Sequence, residues 1–191
     1  IMARTVFPED SFHVSAHGGF AYTRSKPGQG QCSKGYPCTH PGLDCYPADL
    51  GAYAVAPERI RITHLATDMT TKPLSGYGPG AVMGVSAGPL ASATHRRWHV
   101  LGHLRADDVG KLRVGQELAE GDPVGRVYAP ASGGWRHVHW EVLTSLEALG
   151  HDGITRVTRG LVQSPRGWVR ARRLLEAGAV AAAAIAAERL A

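Results

Sequence analysis

Arg136-His137-Val138-His139-Trp140-Glu141-Val142 places two imidazoles two residues apart inside a strand-like pattern. Successive side chains of an extended strand alternate faces, so His137, His139 and Glu141 share one side and Val138, Trp140 and Val142 the other, about 7 Å per pair of residues. One side reads as a site and the other as core. A two-residue histidine spacing is common by chance, so its weight depends on what the rest of the chain sets beside it.

Upstream stands His40-Pro41-Gly42-Leu43-Asp44, a histidine and a carboxylate with three residues between them, embedded in Gly, Pro and Cys rather than in a helical pattern. Imidazole and carboxylate both ligate zinc, and a catalytic zinc takes three protein ligands and keeps a fourth position for water. Between the two stretches, Val100-Leu101-Gly102-His103-Leu104 adds a further histidine after a short apolar run, with His99 competing four residues earlier.

Together His40, Asp44, His103, His137 and His139 resemble the lysostaphin-like zinc endopeptidases that cleave peptidoglycan, whose pattern runs H-x-x-x-D, a Tyr-x-His-Leu-like stretch, then H-x-H. Other segments carry the resemblance further. Gly18-Gly19-Phe20-Ala21-Tyr22-Thr23-Arg24 is similar to the family's Phe-Gly-Tyr-Arg segment, with Ala21 in place of a glycine. Gly51 to Pro57 matches its strand ending in Ala-Pro, and Gly76-Tyr77-Gly78-Pro79-Gly80 its glycine-rich turn. Val114-Gly115-Gln116-Glu117-Leu118 with Glu120 to Val127 matches its paired turns. The resemblance spans residues 18 to 142. It implies one zinc ion on His40, Asp44 and His139, with His103 and His137 beside it as catalytic imidazoles. Leu104 favours His103 over His99. For Glu141 the expectation is a supporting or surface carboxylate.

A chain of 191 residues suffices for one domain with a real core and a short appendage. Hydrophobic residues at 43% and charged residues at 19% exclude a disordered chain, while 24 Gly and 12 Pro point to many turns and a β-rich fold. A net charge of +5 favours an anionic partner. No basic run with interleaved aromatics marks a nucleic-acid face. The basic residues are overwhelmingly Arg and Asn is absent, which points to a GC-rich genome or to heat. The opening Ile1-Met2-Ala3-Arg4 carries no apolar segment of a secretory signal, so export with signal removal, release by lysis, or carriage on a bacteriophage particle is expected.

Phe12, Val14 and Ala16 alternate as a strand, and a Gly/Pro/Cys-rich loop from Lys26 to Thr39 leads to His40. Cys32, Cys38 and Cys45 lack the short spacing of a structural zinc site. They leave open three thiols, or one disulfide from Cys32 to Cys38 or to Cys45. After Pro57 a half-buried strand follows, and Ala81 to Val85, Trp98 to Leu101, Val124 to Tyr128 and Val138 to Leu143 are further strands. Thr67 to Leu74 and Gly88 to Arg97 read as loops, and long loops at one end of such a sheet wall a substrate groove. The expected fold is mainly β, an antiparallel sheet of the lysostaphin-like peptidase type, in a domain over residues 1–150 with an extension over 151–191. Trp168 to Leu190 reads as a helix started by Ser164-Pro165 and weakened near Gly178. Its apolar run from Ala177 to Ala187 is half of what a membrane span needs. The helix is a candidate for attachment or oligomer contacts.

The function these readings imply is a zinc-dependent endopeptidase of bacterial peptidoglycan, cutting the stem peptide or the cross-bridge, extracellular, periplasmic or wall-located, or virion-borne. The alternative is a non-catalytic relative that regulates wall hydrolases or forms part of a virion. All five polar positions are filled, which favours the enzyme.

Overall fold

The computed structural model describes residues 4–29, 32, 35–92 and 95–188. In chain order its strands are β1 (Phe12–Val14), β2 (Thr23–Arg24), β3 (Cys38–Thr39), β4 (Leu43–Pro47), β5 (Tyr53–Val55), β6 (Ile60–Ala66), β7 (Gly80–Ser86), β8 (Trp98–Leu104), β9 (Glu117–Leu118), β10 (Pro123–Arg126), β11 (Val138–Leu143) and β12 (Val162–Gln163). The helices are α1 (Ala106–Val109), α2 (Gly153–Thr158) and α3 (Pro165–Glu188). The main sheet runs β1-β4-β11-β8-β7-β6-β9 with every pairing antiparallel, and β12 extends the β4 side of β11. Hairpin-rich connections between short strands make this arrangement accessible without crossover helices.

The expected β-rich antiparallel architecture is the observed one. The differences are local. β1 stops at Val14, short of Ala16. β4 is a strand in a stretch to which the sequence pattern assigns no element, because Asp44 and Pro47 are poor strand formers; it lies between β1 and β11 in the sheet. α3 passes through Gly178 without a break, since one glycine costs about 1 kcal/mol in a run of Ala, Leu and Glu. The end of the expected helix, residues 189–190, lies outside the described residues. No helix among the described residues is long and apolar enough to cross a membrane. Cys32 is bonded to Cys38, and Cys45 is a buried free thiol on β4.

The sheet separates two apolar clusters. On one face Val138, Trp140 and Val142 of β11 pack with Leu43, Leu101, Leu104, Phe7, Trp168 and Val169. On the other, Leu143 packs with Tyr77, Met83, Val100 and Val162. A buried polar pin fastens α3 to the first face. Glu58 is 3% exposed and accepts from Ser86 Oγ and His99 Nε2, and its other oxygen pairs with Arg172 of α3 at 3.2 Å. Trp140 Nε1 donates to His99 Nδ1 at 3.2 Å, so the His99 proton sits on Nε2 and both ring nitrogens are satisfied. Replacing Arg172 by Met strands the Glu58 carboxylate without its ion-pair partner, and the expected loss is about 3–5 kcal/mol of folding stability. Denaturant unfolding measures it; an unchanged midpoint would show that this pair does not hold the helix.

Candidate metal centre

β11 is buried on both faces, and its odd-numbered residues His139 and Glu141 lie opposite Trp140. β4 pairs with it so that Asp44 stands beside His139. His40 arrives on the turn just ahead of β4. That turn requires Gly42, where a Cβ would meet the Trp140 carbonyl oxygen at 2.7 Å and the His139 ring at 2.9 Å. The result is a triangle of donor atoms. His40 Nε2 is 3.0 Å from both His139 Nδ1 and Asp44 Oδ1, and His139 Nδ1 is 2.9 Å from Asp44 Oδ1.

The outer hydrogen bonds fix where the protons sit. His40 Nδ1 faces the Gly19 carbonyl at 3.1 Å, which only accepts, so Nδ1 carries the proton and the Nε2 lone pair points inward. His139 Nε2 faces Glu141 Oε1 at 2.8 Å, so the Nδ1 lone pair points inward as well. Arg24 Nη2 holds Asp44 Oδ2 at 2.9 Å and leaves Oδ1 to the triangle. Two imidazole nitrogens and a carboxylate oxygen thus converge on one point, an arrangement suited to a cation. The spacing is slightly inside the edge of about 3.3 Å for a tetrahedral ion with bonds of about 2.0–2.1 Å, and imidazoles anchored by a carbonyl and a carboxylate are the usual support of such ions. The donor set therefore fits a metal ion held by His40, Asp44 and His139.

The charges of the bare site agree. Burial works against ionised Asp44, yet the imidazoles of His137, His139 and His40 outweigh it and hold the carboxyl far below its usual range. Burial lowers the His139 value, but hydrogen bonds to Asp44 and Glu141 overcome this and raise it to about 9. A proton is held where an ion fits.

Glu141 is no surface group. It is 1% exposed, accepts from Tyr77 Oη at 3.1 Å and from Arg156 Nη1 at 2.8 Å, and Arg156 also donates to Tyr77 Oη at 2.7 Å. Of the two roles expected for it, the supporting one is observed. Arg24, Tyr77 and Arg156 were not legible as site residues. Arg24 and Tyr77 lie in stretches quoted for the resemblance, and nothing near Arg156 in the sequence marks it.

His137 precedes β11 and lies with Nε2 3.4 Å from Asp44 Oδ1, its ring packed on Tyr46 at 4.7 Å between centroids. His103 reaches the same place by a detour. Strict alternation along β8 would put it with His99 and Leu101 on the core face. Instead β8 carries one extra residue opposite Ala81, and His103 adopts φ 60°, so the chain turns it to the side of His139 while Leu104 returns to the core. Its ring stands edge-on to His137 at 4.8 Å and to Trp135 at 4.3 Å. Gly78, at φ 93°, gives it room, since a Cβ there would fall 2.7 Å from His103 Nδ1. Burial, then the charges of His139 and His137, push the His103 value well below the ordinary histidine value. Nδ1 of His103 and Nδ1 of His137 are buried without a hydrogen-bond partner among the described residues. His99, the competing histidine, lies on the opposite face in the Glu58 pin.

Ala21 holds φ 60°, a left-handed conformation, at the position where the resembled family has glycine, and its amide donates to the His40 carbonyl at 2.9 Å. Replacing Ala21 by Gly relieves that strain, and a gain of about 1 kcal/mol is expected in thermal or denaturant unfolding.

No family model matches the chain, and no curated protein matches it in sequence. Among solved structures it is similar to CbpA of L. salivarius REN, with a TM-score of 0.58 and 16% identity over 91% of this chain and 97% of that one. It is also similar to lysostaphin, described as an antimicrobial peptidase, of Staphylococcus simulans, with a TM-score of 0.53 and 13% identity. That match covers 90% of this chain and 55% of lysostaphin. The chain has the lysostaphin-like fold.

Proposed function

We propose that this protein is a zinc-dependent endopeptidase that hydrolyses peptide bonds in bacterial peptidoglycan, in the stem peptide or the cross-bridge. The observation that carries the reading is the triangle of His40, Asp44 and His139 lone pairs with two further imidazoles at its margin. A zinc ion on those three residues supplies Lewis acidity, making water nucleophilic at neutral pH and polarising a carbonyl. Glu141 is committed to His139, Tyr77 and Arg156, so it is not the base. His137 and His103 divide the remaining work between them: one takes the proton of the attacking water and later returns it to the leaving amine, the other donates a hydrogen bond to the oxyanion. Arg24 and Glu141 keep the donors aimed. The Cys32–Cys38 bond supports a place of action outside a reducing cytoplasm, at the wall or on a phage particle.

Purified protein is expected to carry about one zinc per chain by elemental analysis, and to release peptide fragments from purified walls that mass analysis assigns to one bond type. A metal-free protein whose unfolding temperature is indifferent to added zinc would sink the metal centre. A zinc-loaded protein inert on walls of every chemotype would sink the substrate.

A further inference from the structure

His40 and His139 are aimed by hydrogen bonds from outside the donor triangle, to the Gly19 carbonyl and to Glu141, whereas His103 and His137 have no such partner at Nδ1 among the described residues. Their rings are held by other rings. Tyr46 lies against His137 at 4.7 Å between centroids, His137 against His103 at 4.8 Å, and His103 against Trp135 at 4.3 Å. The two imidazoles thus stand in a row closed at each end by a half-buried aromatic side chain.

Each end of the row is itself fixed. β1 and β4 pair in a register that sets His13 opposite Tyr46, and the two rings stack at 5.2 Å, within 19° of parallel. At the other end Trp135 follows Gly133 and Gly134 and, like them, holds a positive φ, 54° after 79° and 74°. A bulky side chain rarely adopts that left-handed backbone, and such outliers persist where the surrounding structure fixes them. Here the fixing contact is visible. A Cβ on Gly78 would fall 2.8 Å from Trp135 Cζ3 and 2.7 Å from His103 Nδ1, so one glycine makes room for both rings at once.

We infer that Trp135 and Tyr46 are positioning residues, Trp135 for the His103 ring and Tyr46 for the His137 ring. A hydrogen bond aims an imidazole by committing one of its nitrogens, while an aromatic contact fixes the ring and leaves Nδ1 uncommitted, which suits groups that take, return and donate protons. The consequence for rate rests on the peptidase reading; the holding of the rings does not. The test compares Trp135→Gly, Trp135→Phe, Tyr46→Ala and Tyr46→Phe with the parent. Glycine is used at 135 because it keeps the left-handed backbone without strain. All four are expected to retain the parent's zinc content. Trp135→Gly and Tyr46→Ala are expected to lower the maximal rate on purified walls roughly tenfold, at an unchanged wall concentration for half-maximal rate, short of the roughly 100-fold for losing an imidazole outright. The phenylalanine variants keep a ring and are expected to regain most of that loss. Carbon-13 relaxation of the imidazole C–H groups, assigned through His103→Ala and His137→Ala, reads the holding without any activity. The His103 order parameter is expected to fall in Trp135→Gly, that of His137 in Tyr46→Ala, and that of His99 in neither. Unchanged order parameters overturn the holding. Loosened rings with parent rates on walls overturn the positioning role, and so does a loss of zinc that tracks the loss of rate. A parent inert on walls, whose rings loosen as expected in the variants, sinks the peptidase reading and leaves the holding in place.

Discussion

His137→Ala protein is expected to keep its one zinc per chain and to hydrolyse walls roughly 100-fold or more slowly, the scale for losing a general base or an oxyanion donor. His103→Ala is expected to behave likewise. Both rings stand beside the donor triangle without being part of it. His139→Ala, in contrast, removes one of three donors, and zinc and activity are expected to fall together. His99→Ala is the control that separates the faces. Its sequence context implies only a packing cost, but the structure gives it two partners, Glu58 and Trp140. Its loss is therefore expected to lower stability by about 1–3 kcal/mol per stranded polar group while zinc binding is retained. Zinc content, wall hydrolysis and unfolding of the four variants decide the assignments. A His137→Ala protein without zinc beside a His139→Ala protein with it would reverse the two roles.

Glu141→Ala carries the other large effect, because one carboxylate serves two buried groups, His139 and Tyr77, and the partly buried Arg156. Its removal leaves the His139 Nε2 proton without an acceptor and the Arg156 guanidinium and Tyr77 hydroxyl facing an empty space. Zinc affinity is expected to fall about 10–100-fold. Stability is expected to fall by about 3–5 kcal/mol, the cost of stranding one member of a buried ion pair. Glu141→Gln keeps an acceptor for His139 and is expected to fall between the parent and the alanine variant. A competition titration with a zinc chelator, together with denaturant unfolding, reads both quantities. Unchanged zinc affinity in Glu141→Ala would remove Glu141 from the support of the centre.

What was legible in the sequence followed from periodicity. The alternation of β11 showed in advance which residues face Trp140 and which face the site, because a strand repeats every two residues. The donor set came from the family resemblance that the local His40–Asp44 and His137–His139 spacings helped to carry, and not from the spacings alone. β4 was hidden by Asp44 and Pro47, whose presence lowers strand propensity. The supports were hidden by distance. Arg24 lies 20 residues from Asp44, and Arg156 lies 15 residues from Glu141 and 79 from Tyr77. No spacing rule connects such positions, and only the folded sheet brings them together. His103 was identifiable by the leucine that follows it, but not by its direction, since alternation alone sends it into the core.

That detour in β8 makes the strand carry two independent messages. The hydrophobic interior reads Leu101 and Leu104 and passes over the two residues between them, Gly102 and the turned-out His103. Selection on packing and selection on chemistry therefore act on different letters of the same strand. The chain is free to exchange the imidazole at 103 for another reactive group and keep its interior intact. Deleting either residue 102 or residue 103 would bring the two messages back into one phase and set them in conflict, so this strand tolerates substitution at its functional position far better than a change in length.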